Sequence, residues 1–342
     1  MSAVLRVDLD AFAENLRRVR AQVAPAAHML VVKDDAYNHG LAPIVARAWS
    51  EGVQWFGAFD VRTGLQVRAE LGPEARIFVW IVATAEEAAR AVAADLDIGV
   101  GDALLLEDVA AAGGRARVHL KIDSGLHRNG VRPEHWPDFV ARAAALEADG
   151  ILEVVGIWSH IAEASDAEDD AARAAFDAAV QTAQEAGLRP SLRHLSASAA
   201  AFARPEFRYD LARIGAFAYG IRPAGGPGEP ELGVRPIAAL TASVIRLDDE
   251  HAVIGIGALD GLPSTLAGLV DVRTPGGMRP LRALGLEQSI VDRWEDAAVG
   301  DVVTVYGEGA ASATDLAERI GSIGEEIALR ISPLVDRDYR SS

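Results

Sequence analysis

Between about residue 27 and residue 220 the chain repeats one alternation: a short run of β-branched and apolar residues, then an Ala-rich stretch with charges at helical spacing. That is the pattern of βα units, in which each strand is covered by the helix that follows it, and it demands a parallel sheet. Strands are expected at His28–Lys33, Trp55–Phe59, Arg76–Ile81, Leu96–Val100, Val118–Asp123, Val154–His160, Leu192–Ala197 and Arg213–Phe217. Eight parallel strands with intervening helices fit a closed (β/α)8 TIM barrel, because roughly 200–250 residues suffice for closure. An open doubly wound sheet fits less well, since no Gly-x-Gly-x-x-Gly follows the first strand. Helix starts are readable too, as at Ser165-Asp166-Ala167-Glu168, a capping-box pattern opening an Ala-rich run toward Gly187.

The alternation stops at Arg222-Pro223-Ala224-Gly225-Gly226-Pro227-Gly228-Glu229-Pro230, which can neither continue a helix nor enter a central strand. Residues 1–225 are therefore read as the barrel domain and 226–342 as a mainly β C-terminal domain, to which an initial strand at 4–9 is free to pair. Expected strands there are Ile237–Leu247, Ala252–Ile256, Leu269–Val272, Ser289–Val291 and Val302–Tyr306, with one helix near Thr314–Ile320. No repeat with a period of 20–50 residues is present.

Lys and Arg total 33 against 50 Asp and Glu, a net charge of −17 without any basic run, so nucleic acid and anionic membrane surfaces are poor partners. The chain has no cysteine, which removes disulfides, thiolate metal sites and cysteine nucleophiles; no metal is expected. The first residues reach an acid before any long apolar run, and no stretch has the ~20 apolar residues of a membrane span. A cytoplasmic protein is expected.

Working residues of a (β/α)8 barrel come from the C-terminal ends of its strands. Those ends carry Lys33, then Lys121 and Asp123 with Arg128, then His160 and Ser198, and strand eight opens with Arg213 before Gly215. One basic residue at a strand end is ordinarily a solvated charge, but here five strands bring polar residues to the same rim. Lys33 follows the apolar run Met29-Leu30-Val31-Val32, at the edge of a low-dielectric interior that favours the uncharged, nucleophilic amine of a Schiff-base lysine. Ser198 and Gly215 fall after strands seven and eight, where barrels commonly bind phosphate through a hydroxyl and backbone N–H groups. A carbonyl-trapping lysine beside a phosphate cradle points to pyridoxal phosphate; the alternative is a phosphorylated sugar with Lys33 as a phosphate contact.

Val32-Lys33-Asp34-Asp35-Ala36-Tyr37-Asn38-His39-Gly40 resembles the cofactor-lysine motif V-K-A-D-A-Y-G-H-G of the alanine racemase family, with Asp34 and Asn38 substituted. His119-Leu120-Lys121-Ile122-Asp123-Ser124-Gly125-Leu126-His127-Arg128-Asn129-Gly130 is similar to its K-x-D-T-G-M-x-R-x-G segment. Ser159-His160-Ile161-Ala162, His194-Leu195-Ser196-Ala197-Ser198 and Arg213-Ile214-Gly215-Ala216-Phe217-Ala218-Tyr219-Gly220 resemble T-H-F-A, H-x-x-N-S and R-x-G-x-x-x-Y-G, in family order. The resemblance implies that Lys33 carries the pyridoxal phosphate as an aldimine and is a catalytic base, that Tyr37, Ser198 and Gly215 contact the phosphate, and that His160 lines the pocket. It further implies that Arg213 faces the pyridine nitrogen and that Arg128 meets the substrate carboxylate, with Lys121, free or carbamylated, orienting it. His39 and His127 are read as imidazoles that cap backbone groups.

One departure lies in the second domain. Family members carry G-Y-x-D-G, whose tyrosine enters from the partner subunit of a homodimer as the second base. This chain has Gly257-Ala258-Leu259-Asp260-Gly261, and Leu286-Glu287-Gln288 where the family has M-D-Q. Leu286 is thus the candidate substrate neighbour and Glu287 the candidate replacement base, with Ser264 or an ordered water behind it. Three readings compete: an amino-acid racemase-like isomerase acting through Lys33; a one-base enzyme carrying out elimination, retro-aldol cleavage or transamination; and a non-catalytic binding or regulatory homologue. A decarboxylase is disfavoured, because the cysteine used by the related two-domain enzymes is absent.

Overall fold

A computed structural model describes residues 3–195 and 197–341. After β1 (Ala3–Asp8), the chain enters β2 (Ala27–Val31), β3 (Trp55–Asp60), β4 (Arg76–Ile81), β5 (Asp97–Val100), β6 (Ala116–Lys121), β7 (Leu152–Trp158), β8 (Leu192–His194) and β9 (Leu211–Ile214), with helices between most of them. These last eight strands form one parallel sheet in the order β8-β7-β6-β5-β4-β3-β2-β9. Its two edges meet: the N–H of Asp210 donates to the carbonyl of Arg193 at 3.1 Å, and the Asp210 carboxylate accepts from the Arg193 Nε at 2.8 Å. The sheet is thereby a closed (β/α)8 barrel, as the alternation requires. Met29, Phe78, Trp158 and Leu211 form a buried cluster inside it, with Trp55, Trp80 and Leu192 packed against them.

All eight expected barrel strands exist, but several end early. The apolar run at 213–217 gives a strand only to Ile214; Ala216–Tyr219 is a buried 3-10 turn. Short apolar runs satisfy either backbone, and burial alone does not choose between them. β2 stops at Val31, because the chain from Lys33 onward leaves the extended region. Ser196, inside the expected seventh strand, lies outside the described residues.

The second sheet contains β10 (Ala238–Leu247), β11 (His251–Ile254), β12 (Asp271–Thr274), β13 (Gly277–Leu284), β14 (Ser289–Asp292), β15 (Val302–Tyr306) and β16 (Asp336–Arg340), in the order β11-β14-β13-β12-β15-β10-β1-β16. β1 runs antiparallel to β10, with Leu5 opposite Leu240, and parallel to β16. Two strands go beyond the sequence reading. β13 contains Pro280 and two arginines, and β16 reads Asp-Arg-Asp-Tyr-Arg, so neither shows the apolar alternation of a half-buried strand. The expected helix spans Ala313–Arg319, opened by a reciprocal capping box between Ser312 and Asp315; a further helix, Gly324–Arg330, follows.

Contacts divide the chain into two compact units, one of Val19–Lys33 and Ala48–Gly215, the other of the stretch through Arg18, Asp34–Arg47 and everything from Ala216 on. The Pro/Gly stretch 222–230 lies within the latter. Among the described residues no helix is long and apolar enough to cross a membrane.

Phe78 is fully buried and meets Trp158 edge-on at 5.1 Å and His194 edge-on at 5.3 Å. Phe78→Ala is expected to cost about 3–5 kcal/mol through lost burial and a residual cavity, read as the shift of the urea unfolding midpoint. Phe78→Leu, which keeps most of the volume, should cost clearly less; equal midpoints for the two variants would contradict this packing.

Candidate active site

The first strand delivers Lys33 to the barrel rim. The last ladder contact is Val32 N–H to Gly57 O at 2.9 Å; from there the backbone turns left-handed. Asp34, Asp35, Ala36, Tyr37 and Asn38 all have φ between 53 and 66°, a left-handed turn made without glycine. Such residues cost of order 1–2 kcal/mol each and persist only where their surroundings hold them. Here Asp35 accepts from the N–H of Leu41 at 2.8 Å, and His39 Nδ1 donates to Ala36 O at 2.9 Å. The Tyr37 ring lies 4.7 Å from that of Tyr219, on which His39 also stacks at 5.2 Å. Asn38 donates to the carbonyls of Ala328 at 3.0 Å and Ile331 at 2.7 Å, and accepts from Arg337 at 2.6 Å. Burial first, then the negative charges of Glu325 and Asp34, keep the Tyr37 phenol protonated beyond its ordinary range.

Around the rest of the rim, Lys121 ends β6, buried to 4% exposure, and donates to the Asn129 amide oxygen. Its ammonium lies 4.2 Å from the Trp158 ring centre. Asp123 accepts from the N–H groups of Gly125 at 3.1 Å and His127 at 3.0 Å, which shapes the loop carrying exposed Arg128. His160 follows two residues after β7, and Ser198 is the first residue of the helix Ser198–Ala203, its hydroxyl accepting from Gly215 N–H at 3.3 Å. Arg213 sits within β9 rather than at the start of a strand, 6% exposed. It donates to His194 Nδ1 at 2.9 Å, Ser159 O at 2.8 Å, Leu195 O at 3.0 Å and His160 Nδ1 at 3.1 Å; none of these partners is a carboxylate.

This arrangement concentrates positive charge. Burial, followed by Arg213, Arg128, Lys121 and Lys33, pushes His160 down to about 2. Burial and then Arg213 and Arg128 push Lys121 down to about 7 against the weaker pull of Asp123, and burial with Arg128 lowers Arg213 to about 9. Four basic side chains thus act on one neutral imidazole in a protein of net charge −17. Such a cluster suits a dianionic phosphate together with a carboxylate, and Lys33 supplies an amine on the same rim: the donor set fits pyridoxal phosphate and an amino acid.

Sequence reasoning missed Asp97, His119, His194, Trp158 and Asn129. His119 and His194 are fully buried, with His119 Nδ1 and His194 Nε2 2.8 Å apart. A signal existed in β6, where Arg117, His119 and Lys121 alternate with apolar residues and therefore share one face. Among the described residues no three His, Asp or Glu side chains converge to hold a metal.

Tyr37, Leu286 and Glu287 belong to the other unit. Leu286 and Glu287 are exposed in the turn between β13 and β14, while Ala258 is partly buried in a 3-10 turn. Ala258 N–H donates to Gly285 O and Leu259 N–H to Leu286 O, both at 2.9 Å, so the two turns are pinned together.

A family model described as the N-terminal domain of alanine racemase matches residues 7–223. The alanine racemase of Salinispora arenicola is 36% identical over 98% of both chains, and that of Frankia casuarinae 35% identical over 97% of this chain and 95% of its own. Among solved structures, alanine racemase from D-cycloserine-producing Streptomyces lavendulae superposes with a TM-score of 0.94 at 31% identity, over 100% of this chain and 98% of that one.

Two outcomes follow from the site's geometry. Asn38→Ala removes three hydrogen bonds at a positive-φ position and is expected to lower stability by about 1–3 kcal/mol in urea unfolding, whereas Asn38→Gly should lose less. Lys121, with a folded pKa near 7 against 10.5 for a free lysine, binds fewer protons folded than unfolded between those values. It therefore destabilises the fold fully below about pH 7, and that penalty fades as pH rises to 10.5. Lys121→Met should be the more stable protein at pH 7, with the gap closing toward pH 10; a pH-independent gap would contradict the assignment.

Proposed function

The chain belongs to the alanine racemase family, and from that premise we propose that it is a pyridoxal-phosphate-dependent amino-acid isomerase that acts through Lys33 on one face of its substrate. The observation that carries this reading is the cation cluster around His160, with buried Arg213 lacking a carboxylate partner. Lys33 Nζ would hold the cofactor, the Ser198 hydroxyl, Gly215 N–H and Tyr37 its phosphate, and Arg213 its ring nitrogen, with His160 beside it. Pyridoxal phosphate, when bound, supplies an electron sink that makes the Cα–H of an amino acid acidic.

Arg213 remains a cation near neutrality even with its pKa lowered to about 9, so it would donate a hydrogen bond to the ring nitrogen without surrendering a proton. That restraint favours simple proton exchange at Cα over deeper rearrangement. Arg128 and Lys121 would hold the substrate carboxylate, with Leu286 near the side chain. Lys33 Nζ takes and returns the α-proton. The methyl of Ala258 carries no exchangeable proton, which leaves Glu287 as the candidate for the second face. The same methyl favours a second reading, a one-sided reaction on a larger amino acid by elimination, retro-aldol cleavage or transamination. The retained Lys121 and Arg128 speak against a mere cofactor carrier. We also propose a cytoplasmic homodimer.

Purified protein loaded with pyridoxal phosphate should absorb in the visible, and borohydride should fix the cofactor to Lys33, which Lys33→Ala abolishes. In deuterated water one alanine enantiomer should gain α-deuterium roughly 10²-fold or more faster than the pair interconverts, and Ala258→Tyr should raise interconversion. New carbonyl products from larger amino acids would select the one-sided reading. Exchange and inversion at equal rates, unchanged in Glu287→Gln, would overturn the one-base argument. Sedimentation of the active species as a monomer would overturn the dimer.

A further inference from the structure

A (β/α)8 barrel is ordinarily filled by layers of branched aliphatic side chains, yet this one holds a run of polar groups, hydrogen-bonded from Arg213 to His119 and reaching Asp97 by charge across 3.5 Å. Asp97, the first residue of β5, is fully buried and accepts from Arg76 at 2.8 Å and from Arg117 at 3.2 Å. Its Oδ1 lies 3.5 Å from His119 Nε2. His119 Nδ1 is 2.8 Å from His194 Nε2, and His194 Nδ1 is 2.9 Å from the Arg213 guanidinium. The direction of each bond follows from the arginine end. A guanidinium only donates, so His194 Nδ1 accepts and its proton sits on Nε2. That Nε2–H donates to His119 Nδ1, which leaves the His119 proton on Nε2, facing the Asp97 carboxylate.

We propose that Asp97, His119 and His194 form a positioning relay for Arg213, holding its guanidinium in one place and one plane and setting a negative charge in line behind it. The proposal rests on the reading of Arg213 as the group that meets the cofactor's ring nitrogen. Three features of the barrel point to a built device. Trp158 stacks on His194 at 5.7 Å and 7°, and Phe78 packs at 4.9 Å from His119, so the run is walled off from solvent. Gly156 makes room for it, since a Cβ there would stand 2.3 Å from His119 Nδ1. Burial lowers the pKa of both imidazoles, which keeps them in the neutral form the bond directions require.

The test is imidazole nitrogen NMR of the full chain with ¹⁵N-labelled histidine, together with His119→Phe and Gly156→Ala. His119 and His194 should both be neutral with the proton on Nε2 across about pH 6–8, before and after loading with pyridoxal phosphate. Either variant should lower kcat roughly 10–100-fold with KM for the amino acid nearly unchanged, and should shift the visible band of the bound cofactor. A purely structural run would lower the melting temperature and leave kcat per folded molecule and the band alone. An Nδ1–H tautomer at either histidine, or a folded His119→Phe with unaltered band and kcat, overturns the relay. Should both variants fail to fold, the tautomers of the unmodified chain decide. The expected tautomers in a protein that takes up no pyridoxal phosphate would sink the functional reading and leave the run's bond directions standing.

Discussion

A parallel sheet has edges unless it closes, and here closure depends on the junction between β8 and β9, where Asp210 takes up the backbone and side chain of Arg193. Every other property of the barrel follows from that join. With eight strands pointing the same way, their C-terminal ends share one rim, and residues far apart in the chain, from Lys33 to Gly215, become neighbours of a common space. The ion pair itself is half-exposed and contributes little by charge alone. Its weight comes from the two bonds to the Arg193 backbone that join the ends of the sheet.

The existence and order of the barrel strands are legible in the sequence because buried parallel strands and their helices differ in period and in residue type. Strand ends are not: Val32 and Phe217 continue an apolar run whether the backbone is extended or turned. In the second sheet, β16 escapes notice for the opposite reason, since its charged residues are held by pairing with β1 and carry no burial signal of their own. Rim residues such as Lys121, His160 and Arg213 can be read because chemistry-bearing types at strand ends are a positional signal. Asp97 and His194 cannot, because a lone polar residue within a strand looks the same whether it faces the barrel axis or a helix.

Two of the departures from the family pattern, Asn38 and Ala258, differ in their local setting. Asn38 stands where the motif has glycine, at φ 66°, a region that asparagine tolerates better than most residues, and its amide gains three partners in exchange. That substitution preserves the backbone. Ala258 leaves its turn intact, since the bonds to Gly285 and Asp260 come from the backbone and neighbouring residues, and its side chain is a methyl with no polar atom.

The left-handed turn after Lys33 also restricts what this segment can be spelled with. Valine, isoleucine and threonine are true outliers at positive φ, and proline is fixed at negative φ, so a large part of the amino-acid alphabet is closed to residues 34–38. Length is constrained as tightly as composition, because each residue in a mirror-handed coil advances the chain by a rotation opposite to that of an ordinary helix. An inserted or deleted residue could not be absorbed by sliding one turn along, as it often can in a surface helix. The handedness of the segment that follows Lys33 therefore restricts both its spelling and its length, independent of any contact its side chains make.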